Sequence, residues 1–221
     1  MSKQAILFGS IGVLVETSEI QRQSFNQAFK EAGLNWSWDR ETYRTLLKSS
    51  GGEKRIREYA NTKGKDVDAG ALHKRKTEIF DDTMVQQGLS LRDGVAEVMK
   101  RAKQDGVKLA FVTTTSRANV DAIFEALGDS LQRGDFDFVG DTSVTAAAKP
   151  SPDIYEAALD ALALDAAACI AIEDTGVSAQ APLAAGIQTV GFPGEYADPA
   201  DFDACVTMVE RLNYAELVGT D

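Results

Sequence analysis

Cysteine and histidine are scarce in this chain, with two and one respectively among 221 residues. A single histidine, His73, excludes any mechanism that needs two imidazoles. Cys169 and Cys205 both lie in apolar, strand-like contexts, which favours buried free thiols over a disulfide. Basic residues are also short: 23 Lys+Arg stand against 34 Asp+Glu, for a net charge of -11. That balance excludes nucleic acid and anionic membrane surfaces as partners, because both demand clustered cations. It leaves room for a small phosphorylated molecule or an inorganic anion, since a pocket can be basic within an acidic protein. No apolar run is long enough to span a bilayer, and no charged-then-apolar leader opens the chain. The expectation is a soluble, cytoplasmic protein with one good core and a smaller satellite domain.

The most telling scarcity is local. Residues 5–16 read AILFGSIGVLVE, a short apolar run broken after Phe8 by Gly9-Ser10-Ile11-Gly12. Such a run, bounded by glycine, predicts a buried parallel strand, and ligands bind beyond the carboxyl ends of such strands. An enzyme using that crevice would place a nucleophile or a metal-ligating carboxylate at the tip. This chain places glycine, serine and isoleucine there.

Beyond the tip the pattern turns helical. Ser18-x-x-Gln21 predicts a capping box for a helix ending at Gly33. Helical stretches follow over 39–48, 52–63 and 69–87, so residues 16–87 read as an all-helical insertion. From residue 93 onward helix and strand alternate: helices 93–105, 117–127, 152–162 and 178–185, strands 107–112, 136–140, 169–173 and 188–191. Alternation of this kind predicts a parallel α/β sheet.

Four ordered tracts carry a family resemblance. Phe8–Thr17 (FGSIGVLVET), Val107–Ser116 (VKLAFVTTTS), Ala148–Tyr155 (AKPSPDIY) and Cys169–Val177 (CIAIEDTGV) resemble the four motifs of the haloacid dehalogenase (HAD) superfamily. SFNQAF (24–29) and LLKSSGGEKRI (46–56) are most similar to its CbbY-like, β-phosphoglucomutase and phosphoglycolate phosphatase branch. The resemblance implies a Rossmann-like α/β core, residues 1–15 and 88–221, with an inserted all-helical cap, residues 16–87. It also implies phosphoryl transfer through an aspartyl-phosphate, a second Asp as general acid/base, and Mg2+ held partly by these acids.

Carried over residue by residue, the nucleophile position is Gly9 and the acid/base position is Ile11, so no catalytic residue is intact. Acid–base assistance is worth ~10²–10⁴-fold and a covalent nucleophile on the order of 10⁶. Either loss reduces a phosphatase to a trace. Ser10 is one residue out of register and has no imidazole beside it, which argues against a serine nucleophile. The resemblance implies phosphate-binding roles for Thr113, Thr114 and Lys149, with Ser116 as the better helix cap. Lacking an acid at position 9, Lys149 is expected to bind Asp174 or an anion. Asp174 and Glu173 match the metal-ligating acids, but Mg2+ wants octahedral oxygen ligation, usually with one or two carboxylates plus phosphate, and one protein carboxylate is missing at position 9, so the metal site is expected to be vestigial.

In the cap, the resemblance implies substrate contacts from Glu16, Gly51, Gly52 and Arg55. Gln21 stands where related enzymes often have histidine, and Glu53 where a basic residue is common. Glu53, Lys54 and His73 read as solvated surface, and Trp36 and Trp38 as packing between cap helices. Three functions fit: a catalytically impaired phosphate or sugar-phosphate binder, a hydrolase that activates water through Glu173 or Asp174, or a regulatory scaffold.

Overall fold

A computed structural model describes residues 2–48, 51–204 and 206–219. Its centre is a six-stranded parallel sheet formed by β1 (Ala5–Phe8), β2 (Lys108–Val112), β3 (Phe138–Gly140), β4 (Cys169–Glu173), β5 (Gln188–Gly191) and β6 (Thr207–Met208). The spatial order is β3-β2-β1-β4-β5-β6, which puts β1 in the interior. Alternation along β1 divides its side chains. Ile6 and Phe8 face one apolar layer, and Ala5 and Leu7 the other.

The first layer is covered by α6 (Val95–Asp105), α7 (Arg117–Leu127) and part of α5 (Ala69–Gln87), through Val98, Met99, Val120, Ile123, Phe80 and Met84. The second is covered chiefly by α8 (Asp153–Leu162), through Ile154, Tyr155, Ala158 and Leu162. Helix α9 (Gly176–Ala184) joins β4 to β5. Burial on both faces is what a parallel sheet requires, and it explains why these strands read as continuous apolar runs.

After β1 the chain makes one short helical turn, α1 (Ile11–Leu14), and enters α2 (Ser18–Glu31), α3 (Arg40–Leu46), α4 (Gly52–Thr62) and α5. These helices gather a separate apolar cluster in which Trp38 is packed by Phe25, Phe29, Tyr43 and Tyr59. The tryptophans therefore pack between helices, as their alternation predicts.

Element bounds follow the sequence reading closely, with instructive differences. The Ser18-x-x-Gln21 capping box does not form. Thr17 is the cap residue, and the Glu16 carboxylate accepts from the Ser18 N–H at 2.8 Å. Helix α9 starts at Gly176, ahead of the expected Ser178, because the Thr175 hydroxyl accepts from the Ser178 N–H at 3.3 Å. Strand β6 and the terminal helix α10 (Tyr214–Val218) escaped prediction, being only two and five residues long. Cys169 is a buried free thiol, as expected; Cys205 lies outside the described residues. No helix among the described residues is long and apolar enough to cross a membrane.

Candidate functional site

A cleft of about 770 Å³ opens where the sheet's carboxyl edge faces helices α2–α5. Its floor comes from the core: Ser10, Ile11 and Gly12 after β1, Thr113–Ser116 after β2, Lys149 before α8, and Asp174 after β4. Its roof comes from the helices, with Gln21, Phe25, Gly51, Gly52, Arg55, His73 and Lys76.

The position of Gly9 follows from register. Phe8 pairs with Phe111 on one side and Ile172 on the other, and the Gly9 N–H donates to the Ile172 carbonyl at 2.9 Å. Positions 9 and 173 therefore lie side by side, facing α8 like Leu7 and Ala171. There Glu173 is fully buried, and its Oε1 accepts from Lys149 Nζ at 2.6 Å and from the Tyr155 hydroxyl at 2.7 Å. Lys149 also donates to the carbonyls of Gly9, at 2.5 Å, and Val112, at 2.7 Å. An ammonium has three protons, so its donors are spent within the protein. The expectation that Lys149 turns to Asp174 or an anion is thus corrected: its partner is Glu173, which side-chain alternation presents on the same face. Burial, followed by the Glu173 charge, pushes the Tyr155 hydroxyl well above its ordinary range.

Asp174 is the acid on the floor that faces the cleft. Its Oδ1 accepts from Ser10 Oγ at 2.5 Å. A Cβ at Gly12 would overlap Oδ2, so only glycine lets the carboxyl pack down there. Burial and the nearby Glu173 charge raise its pKa to about 6, against the opposing Ser10 hydrogen bond and the Lys149 charge. Ser10 thus has a base beside it after all; the sequence showed the missing imidazole but not the carboxylate arriving from β4. Ile11 opens α1 and packs against the core. The Arg92 guanidinium pins the loop, donating to the carbonyls of Gly12, Phe192 and Pro193 at 2.5, 3.0 and 2.7 Å.

Thr113 is buried, and its Oγ1 accepts from the Thr115 N–H at 3.2 Å, while Thr114 is half-buried at the cleft wall. Ser116 caps α7 through Asn119 N–H at 3.2 Å, as expected. Overhead, Arg55 is buried, donates to the Leu46 carbonyl at 2.9 Å and lies over the Tyr43 ring. Glu16 does not line the cleft. Its carboxylate accepts from the backbone N–H groups of Ser18 and Glu195 at 2.8 and 2.7 Å.

His73 is not a plain surface residue: it is half-buried at the cleft, against Gly52, because its helix turns that face inward. Burial and the Lys76 charge lower its pKa. Lys76 itself went unrecognised. It lies on the inward face marked by Leu72, Phe80 and Met84 at four-residue spacing, but as the one charged residue of that row, set in the charged tract HKRKTE, it reads as surface. It is buried, donates to Gln21 Oε1 at 3.0 Å, and sits 4.9 and 4.5 Å from the ring centres of Phe25 and Phe80. Burial lowers its pKa to about 7, with the Arg55 charge second. Tyr155 was also missed, although it closes the AKPSPDIY tract, because its spacing reads as ordinary helix core.

A crevice at the carboxyl edge of a parallel sheet, roofed by helices inserted after the first strand, defines the class. The chain belongs to the haloacid dehalogenase-like hydrolases, whose family model matches residues 3–186. It is similar to the CbbY protein of Rhodobacter capsulatus, 38% identical over 97% of this chain and 96% of that one. The crystal structure of Rhodobacter sphaeroides CbbY in complex with phosphate matches with a TM-score of 0.86, at 36% identity over 98% of this chain and 96% of that one. A variant of the same protein is known in complex with xylulose-(1,5)bisphosphate, with the same coverage and TM-score. A β-phosphoglucomutase from Clostridium difficile, 18% identical with a TM-score of 0.75, shares the fold.

Hydrolases of this family generally use Mg2+, and the donor set here does not fit it. Among the described residues no three His, Cys, Asp or Glu side chains converge as metal ligands. Glu173 is engaged by an ammonium, which leaves Asp174 alone on the floor, whereas Mg2+ demands near-octahedral oxygen ligation.

Proposed function

We propose that this protein binds a small phosphate ester, of the sugar-phosphate class, in the cleft and has lost the family's phosphoryl-transfer chemistry. Residues 16–87 act as the cap and residues 1–15 and 88–221 as the core. The observation that carries the reading is the floor: position 9 has no side chain, position 11 is apolar, and the neighbouring carboxylate of Glu173 is buried against Lys149. A carboxylate attacks phosphorus only when cations offset the charge of the phosphate oxygens. Here the acid is buried and the cation is saturated. Binding remains supported, because Thr114, Arg55, His73 and Lys76 surround a cleft roomy enough for such a ligand. The phosphate and xylulose-(1,5)bisphosphate held by Rhodobacter sphaeroides CbbY indicate the ligands to try first.

The test is titration calorimetry with inorganic phosphate and with a pentulose bisphosphate, beside an assay of orthophosphate release. The expected result is heat of binding without turnover. Absence of heat with both ligands, or rapid release of orthophosphate, overturns the reading.

One observation favours a second reading. The Ser10–Asp174 contact places a base with a pKa of about 6 against a hydroxyl at the cleft floor. Asp174 would then act as general base, for water or for Ser10. Slow turnover that disappears in Asp174→Ala defines this reading, and its survival in Ser10→Ala assigns the attack to water.

A further inference from the structure

We infer that Glu173 has taken over both the space and the charge of the acid absent from position 9, making the cleft floor a self-neutralised unit that needs no metal. The inference stands on the floor's geometry, whichever ligand the cleft takes.

Three observations converge on it. A Cβ built on Gly9 would overlap the Glu173 carboxyl carbon, its Oε1 and the Tyr155 hydroxyl, so the Glu173 head group fills the space where a side chain at 9 would begin. That carboxylate also supplies the counter-charge that buried Lys149 requires, at 2.6 Å, while the remaining lysine protons go to two backbone carbonyls. Finally, Glu173 Oε2 is buried with no hydrogen-bond partner. A buried orphan oxygen is costly and calls for a cause. A carboxyl drawn into space shaped for another side chain, held there by Lys149 and Tyr155 through one oxygen, supplies that cause.

The idea makes positions 9 and 173 exchangeable sources of one carboxylate. Glu173→Ala strands a buried ammonium and removes the Tyr155 acceptor, so the melting temperature should fall by roughly 10 °C. Gly9→Asp crowds a second acid into occupied space and should lower it by a few degrees. The double variant Gly9→Asp/Glu173→Ala returns a carboxylate to Lys149 and should melt several degrees above Glu173→Ala. If Glu173→Ala does not fold, recovery of a cooperative transition in the double variant is the same result. Should the double variant melt at or below the sum of the two single losses, or stay unfolded, the exchange is refuted. Glu173→Gln discards the charge but keeps the shape, so the space beside position 9 stays filled and adding Gly9→Asp to it should bring no recovery. A merely structural role for Glu173 gives additive losses in the Gly9→Asp/Glu173→Ala series.

Discussion

Floor and roof of the cleft treat charge in opposite ways. On the floor, Lys149 is matched by Glu173 and two carbonyls, and Asp174 by Ser10. In the roof, Lys76 keeps its ammonium between two aromatic rings with Gln21 as its hydrogen-bond partner, and His73 and Arg55 lie nearby. A satisfied floor has little left to offer an incoming anion. The buried Lys76 of the roof has more, because an anion would offset the cost of burying its ammonium. On the proposed reading, the floor is the region that no longer serves phosphoryl transfer and the roof is the region that would meet a ligand.

That contrast can be broken or sharpened in four ways, from largest effect to smallest. Orthophosphate release by this protein should lie at least ~10⁴-fold below that of a relative retaining both acids, assayed side by side. Equal rates would show that the floor still works. Next, Trp38→Ala empties the centre of the helical cluster and should cost about 3–5 kcal/mol in urea unfolding. A negligible loss would mean that the roof does not depend on that cluster.

Lys76→Met comes third. It should weaken phosphate-ester binding by roughly ten- to a hundredfold, since a hydrogen bond to a charged group contributes ~1.5–3 kcal/mol. Its effect on stability has a definite sign. With a folded pKa near 7 and an ordinary value of 10.5, Lys76 binds fewer protons folded than unfolded between those limits. Its destabilisation is complete below pH 7 and fades as the pH rises, so the variant should gain more in melting temperature at pH 6 than at pH 9. Smallest is Asp174→Asn. Asp174 is raised from 3.8 to about 6, so the native state holds its proton more tightly and stability falls as the pH climbs between those values. The amide should add a few degrees at pH 8 and nothing at pH 4. The reverse trend in either variant would contradict its burial.

Much of this was legible in the chain. Continuous apolar runs marked the strands, and the helical stops at Gly88, Gly106 and Gly128 fell where helices end. The lack of an acid at Gly9-Ser10-Ile11 was legible too, because a strand tip is a local stretch of sequence. What escaped were encounters across sequence distance. Ser10 meets Asp174 only once β1 and β4 lie side by side, and Lys149 meets Glu173 only once the segment before α8 reaches the end of β4. Lys76 was hidden because it is a charged residue within the inward row Leu72, Phe80 and Met84, and nothing local marks a lysine there as buried. Strand β6 fell below any periodic signal, its two residues being exposed and joined to β5 at the sheet's edge.

The sequence by itself determined the order of elements and the absence of an acid at positions 9 and 11 after the first strand, since both properties are written residue by residue along the chain. Only the tertiary structure decided which acid answers Lys149 and which one faces the cleft. Parallel pairing sets neighbouring strands in register, and the alternation of side chains along β4 then sends Glu173 beneath the floor and leaves Asp174 at the cleft.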